Sequence, residues 1–141
     1  MKTYSFSSKQ MILQVNNNFE TFKNILNLYL KNPNGKNIHD LRKSIRRLDS
    51  AYYSLPKKFR KNKSIKNYIN HSKDLFKSNS QVRDYDIFLE KINSHNRSNN
   101  SKNNNLIDQI EQNKKIQLET AKKIAQNLDL YDSPQIGTES I

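Results

Sequence analysis

Residues 38–48 read Ile-His-Asp-Leu-Arg-Lys-Ser-Ile-Arg-Arg-Leu, and they set His39, Arg42, Lys43, Arg46 and Arg47 among apolar residues spaced three or four apart. On a helix turning about 100° per residue, His39, Arg42 and Arg46 fall within roughly 60° of one another. Lys43 and Arg47 lie further round the same side. The stripe of Ile38, Leu41, Ile45 and Leu48 is centred roughly 120° away, so the cations flank a buried stripe instead of opposing it. Arginines at the edge of a core have packed stems and fixed guanidinium heads. A fixed row of forked donors, one per turn of about 5.4 Å, suits successive phosphate groups on a chain. His39 adds a ring donor, stronger when protonated. The plainer alternative is a solvated basic face in which Asp40 pairs with Lys43 or Ser44.

A second local signal is Val82-Arg83-Asp84-Tyr85-Asp86-Ile87-Phe88-Leu89. Asp84 and Asp86 are expected in the first turn of a helix, where the dipole favours carboxylates. There they would also orient arginines of the 38–48 segment. A carboxylate metal site built from Asp84, Asp86 and Glu90 is the weaker alternative, because only Asp86 and Glu90 share a helix face.

Other chemistry finds no residues to carry it. The two glycines, Gly35 and Gly137, are too far apart for a phosphate-cradling loop. His39, His71 and His95 lack metal-ligand spacing, and His71 reads as a surface or partly packed residue. Cysteine is absent, which removes disulfides, thiolate metal sites and redox chemistry. No Ser or Thr sits in a nucleophile motif. The expectation is a binding protein with no cofactor, no metal and no catalysis.

Charge points the same way. The chain carries a formal net charge of +12 over 141 residues. Between positions 31 and 77 there are 14 Lys/Arg and 3 acids, a net of +11, and the remainder is nearly balanced. A field so concentrated attracts nucleic acid, polyphosphate or an anionic surface. No apolar run nears the ~20 residues a bilayer span needs. The first residues have no apolar h-region of a signal peptide, so a cytoplasmic protein without membrane contact is expected.

The elements that must position these residues read as an all-α protein, an antiparallel bundle of four to five helices. The first helix, about 8–31, places Ile12, Val15, Phe19, Phe22, Leu26 and Tyr29 on one stripe. Asn32-Pro33-Asn34-Gly35 breaks it. The second runs from an N-cap at Asn37 to Ser54, stopped by Pro56, and a basic loop at 57–61 follows. A third helix at about 64–77 and a fourth at about 81–93 are separated at Asn79-Ser80. The polar stretch 94–105 reads as a flexible loop. A last helix at about 106–130 uses Ile107, Ile110, Leu118, Ala121, Ala125 and Leu128, a stripe interrupted by Lys114. The tail 133–141 is expected to be frayed. Residues 1–132 thus form one domain.

The two motifs together resemble the CHAD family, the helical domain named for its histidines. His39, Arg42, Arg46 and Arg47 align with its His-x-x-Arg-x-x-x-Arg-Arg-Leu signature, and residues 82–89 with its later Arg-Asp-aromatic-Asp motif. The resemblance covers about residues 8–130. It implies a helical protein that binds inorganic polyphosphate through a basic surface, commonly at polyphosphate granules. On that basis His39, Arg42, Arg46 and Arg47 would contact phosphates. Charge adds Lys43, Lys57, Lys58, Arg60, Lys73 and Arg83 to the expected site. Members typically pair two bundles around a shared basic channel, whereas this chain holds one, so homodimerisation would rebuild the pair. Two details depart from the family pattern. Asp49 replaces a common Arg, and Asn79-Ser80-Gln81 replaces a Leu-Gly turn.

Nucleic acid is the alternative polyanion. Both ligands release counterions and lose affinity with salt, so charge does not separate them. Base recognition needs aromatic platforms, and Tyr52 and Tyr53 are the only ones expected near the basic patch. Polyphosphate is therefore the expected ligand.

Overall fold

The computed structural model describes residues 2–99, 104–131 and 133–137. Over these residues the chain is helical, with α1 at Lys2–Lys31, α2 at Gly35–Tyr53, α3 at Lys63–Asn99 and α4 at Asn104–Asp129. A 3-10 turn at Lys57–Arg60 links α2 to α3. Each helix packs on its neighbour in sequence, and α1 also meets α4.

The apolar stripes become the core. Ile12, Val15, Phe19, Phe22, Leu26 and Tyr29 of α1 are all buried, and so are Ile38, Leu41, Ile45, Leu48 and Tyr52 of α2. From α3 come Ile65, Tyr68, Ile69, Leu75 and Val82, and from α4 Ala121, Ala125 and Leu128. Tyr68 sets its ring edge-on against Phe19 and Phe22, with centroids 5.8 and 5.9 Å apart. Burying rings of this size is the main stabilising term, since each removes a large apolar area from water.

Several expectations are corrected. Asn79-Ser80 does not divide two helices, because α3 runs unbroken for 37 residues. Asn79 is fully buried, and its Oδ1 accepts from the Tyr29 hydroxyl at 3.1 Å. The Ser80 hydroxyl donates back to the Phe76 carbonyl at 2.8 Å. Polar side chains that favour turns when free here find partners that leave the helix intact, although the Asn79 amide nitrogen is buried without one. Asp84 and Asp86 consequently sit mid-helix, away from any helix N-terminus, and Asp86 pairs with Lys114 of α4. That pairing explains why a lysine interrupts the α4 stripe.

The cap of α2 is Asn34, whose side chain accepts from the Asn37 N–H at 2.8 Å. Asn37 instead closes the end of α1, donating its amide to the carbonyls of Asn32 at 2.7 Å and Leu28 at 3.3 Å. One asparagine therefore serves each side of the turn. The stretch expected to be a loop at 94–105 is helical where described, since α3 reaches Asn99 and α4 begins at Asn104. Residues 100–103 of it lie outside the described residues. The basic loop at 57–61 is largely the 3-10 turn, anchored by buried Phe59.

The tail is held where it is described. Ile136 is buried, and its backbone N–H and carbonyl pair with the side chain of Asn16 at 2.8 and 3.0 Å. Lys23 adds a clamp on the end of α4, donating to the Asp129 carbonyl at 2.6 Å and facing its carboxylate at 2.9 Å. The rest of the expected frayed segment, 138–141, lies outside the described residues, as does residue 132. No helix among the described residues is long and apolar enough to cross a membrane.

Candidate functional site

Two cationic residues of α2, Arg42 and Arg46, lie against α3. Arg42 is half-buried, and its Nε donates to the Ser80 hydroxyl at 3.1 Å. Its guanidinium carbon stands 5.0 Å from the centre of the Phe76 ring. Arg46, one turn on, stands 5.3 Å from the same ring. Phe76 thus seats two arginines, holding by cation–π attraction what solvent would otherwise leave mobile. The ring can do this because Leu75 and Phe76 are consecutive. Leu75 enters the core, so Phe76 is left on the shoulder of α3, packed against the core but partly exposed.

His39, Arg42, Lys43, Arg46 and Arg83 line one cavity of about 300 Å³ between α2 and α3. Among the described residues none of the five is ion-paired with a carboxylate, and the Asp40–Lys43 pair of the plainer alternative does not form. The crowding shows in Arg42, whose pKa is lowered by burial first and then by the charges of Arg83 and Arg46. Asp84 opposes that shift only in part. A bound anion would relieve the same repulsion.

The other expected site residues lie elsewhere. Arg47 faces α1, lining a cavity of about 230 Å³ with Asn18, Thr21, Asp40 and Lys43. Lys73 is engaged. Its Nζ lies 3.2 Å from Asp49 and 4.6 Å from the Tyr53 ring centre. Burial pulls its pKa down, but the bond to Asp49, the charge of Asp49 and Tyr53 outweigh that and raise it. Asp49, which stands where the family commonly has an Arg, is thereby paired with a cation. Arg60 donates its Nε to the Leu55 carbonyl at 3.1 Å and lies 5.6 Å from Tyr53. Lys58 stands over Phe59 at 4.8 Å, while Lys57 is exposed on the same turn. These four belong to the Tyr53 end of α2, about 20 Å from His39 at 1.5 Å per residue.

Contacts along the groove keep a constant register. Arg42 meets Ser80, Arg46 meets Phe76 and Asp49 meets Lys73, stepping down α3 as they step up α2. Phe76 and Ser80 went unforeseen as site residues. The adjacent apolar pair Leu75-Phe76 was the available signal for the first, since one helix face takes only one of them. Ser80 had none. Among the described residues no group of three or more His, Asp or Glu is placed to hold a metal. No protein-family model, curated protein or solved structure matches the chain.

Proposed function

We propose that the chain is a non-catalytic binder of inorganic polyphosphate, built as an antiparallel four-helix bundle of the CHAD type. His39, Arg42, Lys43, Arg46 and Arg83 hold successive phosphates, while Arg47 and the Lys57, Lys58, Arg60 and Lys73 group extend the track for a longer chain. The observation that carries this reading is the seating of Arg42 and Arg46 on one ring, with no carboxylate pairing either. Fixed, unneutralised forks one turn apart are what a repeating phosphate needs, and they lose little freedom on binding. Two copies facing each other would enclose a shared basic channel, and light scattering after size exclusion would test that pairing by returning a dimer mass. The compartment this reading assigns is the cytoplasm, at polyphosphate granules.

Tyr53 favours a competing reading. It is an exposed ring beside Arg60 and Lys73, a stacking platform of the kind single-stranded nucleic acid uses. Calorimetry at physiological salt separates the two, with long-chain polyphosphate, triphosphate, single-stranded DNA and double-stranded DNA in parallel. Polyphosphate should bind at least about tenfold tighter than DNA and lose that advantage in Arg42→Ala/Arg46→Ala. Equal affinity for every polyanion, indifferent to that double variant, would reduce the face to bare charge.

A further inference from the structure

Arg46 and Arg47 are consecutive, so a helix turning about 100° per residue sends them to different flanks of α2. Arg46 stands over Phe76 of α3 and lines the cavity it shares with His39, Arg42, Lys43 and Arg83. Arg47 faces α1. Arg46 also lines a second, open groove of about 480 Å³ between α1 and α2, together with Arg47, Gln14, Asn18 and Ser50. Helix α2 is therefore a ridge with a groove on either side, and Arg46 belongs to both.

The α1 flank has the chemistry of an anion site at one end only. Toward the start of α2, the cavity of about 230 Å³ that holds Lys43 and Arg47 also holds Asp40, whose carboxylate repels a phosphate. Toward the end of α2, the open groove has Arg46 and Arg47 and no carboxylate. The nearby acids are turned elsewhere. Asp49 is paired with Lys73 of α3, and Glu20 of α1 accepts from the Gln135 amide at 3.3 Å.

Gln14 and Asn18 flank the buried α1 stripe of Val15 and Phe19, and they bring neutral donors to this groove. Ser50 adds a hydroxyl from α2. Among the described residues the side chains of Gln14, Asn18, Arg47 and Ser50 hold no hydrogen bond or ion pair of their own. A forked cation beside amide and hydroxyl donors suits the several acceptor oxygens of a phosphate.

A chain longer than the first cavity has two ways on from Arg46. Along the α3 flank it meets Lys73 already paired with Asp49. Over the ridge it meets Arg47, unpaired and free of any facing acid at that end. From His39 to Ser50 the path covers about 17 Å of helix axis, so a short ligand stays on one flank.

We propose that a long polyphosphate chain crosses α2, passing from the α2–α3 cavity over Arg46 into the α1–α2 groove, where Arg47, Asn18 and Gln14 take its next phosphates. Resting on the polyphosphate reading, this path adds a length requirement to it: triphosphate engages the α3 flank alone.

The test measures calorimetric affinity of the full chain for triphosphate and for long-chain polyphosphate at one salt concentration. Asn18→Asp and Ser50→Asp each set a carboxylate in the α1–α2 groove. Gln126→Asp, exposed on α4, makes the same charge change outside both grooves. Each groove variant should weaken the long chain about tenfold and triphosphate by less than about twofold. Gln126→Asp should stay near wild type for both ligands. Ser50 is exposed, so its variant reads binding even if half-buried Asn18 does not tolerate the charge. Groove variants that match Gln126→Asp, or that weaken triphosphate as much as the long chain, overturn the crossing and leave polyphosphate binding in place. A wild type that binds neither ligand overturns the polyphosphate reading and the crossing with it.

Discussion

Arg42 reaches across from α2 to Ser80 of α3, its Nε–H donating to the hydroxyl at 3.1 Å. Ser80 passes the bond on, since its own proton goes to the Phe76 carbonyl at 2.8 Å. The ring of that same Phe76 lies under the Arg42 guanidinium. Arg42 is thus fixed twice from one short stretch of α3, once through Nε and once through its flat face. The edge bearing its terminal nitrogens stays available to the cavity it shares with His39 and Arg83. The long polar helix of α3 does more here than complete a core. It holds the arginines of α2 in position.

Ser80→Ala removes the first constraint and Phe76→Leu the second. Ser80→Ala should weaken polyphosphate binding about threefold to tenfold, the net worth of one ordinary intramolecular hydrogen bond, with little change in unfolding temperature. Phe76→Leu keeps the packing volume but frees both Arg42 and Arg46, so its loss should be the larger. Calorimetry with a fixed polyphosphate length measures both. Unchanged affinity in Phe76→Leu would mean that the stacking seen between these groups does nothing for the ligand.

Salt dependence offers a separate count of phosphate contacts. The logarithm of the binding constant falls linearly with the logarithm of salt concentration, and each lost phosphate contact reduces the slope by about one. Replacing Arg42 and Arg46 by Ala should therefore lower the slope by about two. Lys73→Ala should change it less than a single arginine does, because Lys73 is already paired with Asp49. A slope equal in both variants would show the anion held by diffuse charge.

The core of α1 and α2 was legible in the sequence, and the reasons are physical. Each helix buries one clean stripe, and every residue of the stripes from Ile12 to Tyr29 and from Ile38 to Tyr52 lies where a period of 3.6 puts it. The cations beside the second stripe were legible for the same reason. The continuity of α3 was not. Asn79 and Ser80 have the local chemistry of a turn, and only the Tyr29 hydroxyl and the Phe76 carbonyl, partners set by packing and by the helix itself, decide otherwise. The separation of Lys57, Lys58, Arg60 and Lys73 from the cavity was equally invisible. Charge counted along a chain does not say which cations are already spoken for by Asp49 or Tyr53.

Asn16 gives a test of the segment after α4. Its side chain both accepts from and donates to the backbone of Ile136, bonds of 2.8 and 3.0 Å. Asn16→Ala removes both and leaves two backbone groups to find new partners. The expected cost is about 1–3 kcal/mol by denaturant unfolding. Amide exchange at Ile136 should accelerate much more than exchange in the middle of α1. Uniform acceleration across the chain would instead make this contact part of the global fold.

Alkaline pH should unfold the protein through its buried phenols. Tyr29 is pushed up to about 12 by burial, against the opposing bond to Asn79, and burial raises Tyr68 as well. Both must stay protonated while folded, whereas the unfolded chain ionises them near the ordinary value of about 10. The unfolded state then binds fewer protons than the native state, so stability falls as pH rises. Each phenol contributes a loss of about 1.4 kcal/mol per pH unit once pH exceeds 10, until the folded group itself ionises. Below pH 10 neither contributes. Denaturant unfolding between pH 8 and pH 12 should therefore be flat with respect to these groups at first and fall steeply afterwards. Tyr68→Phe should make the fall shallower. A profile that drops equally in wild type and Tyr68→Phe would place the alkaline sensitivity in the other buried phenols, Tyr29 and Tyr52.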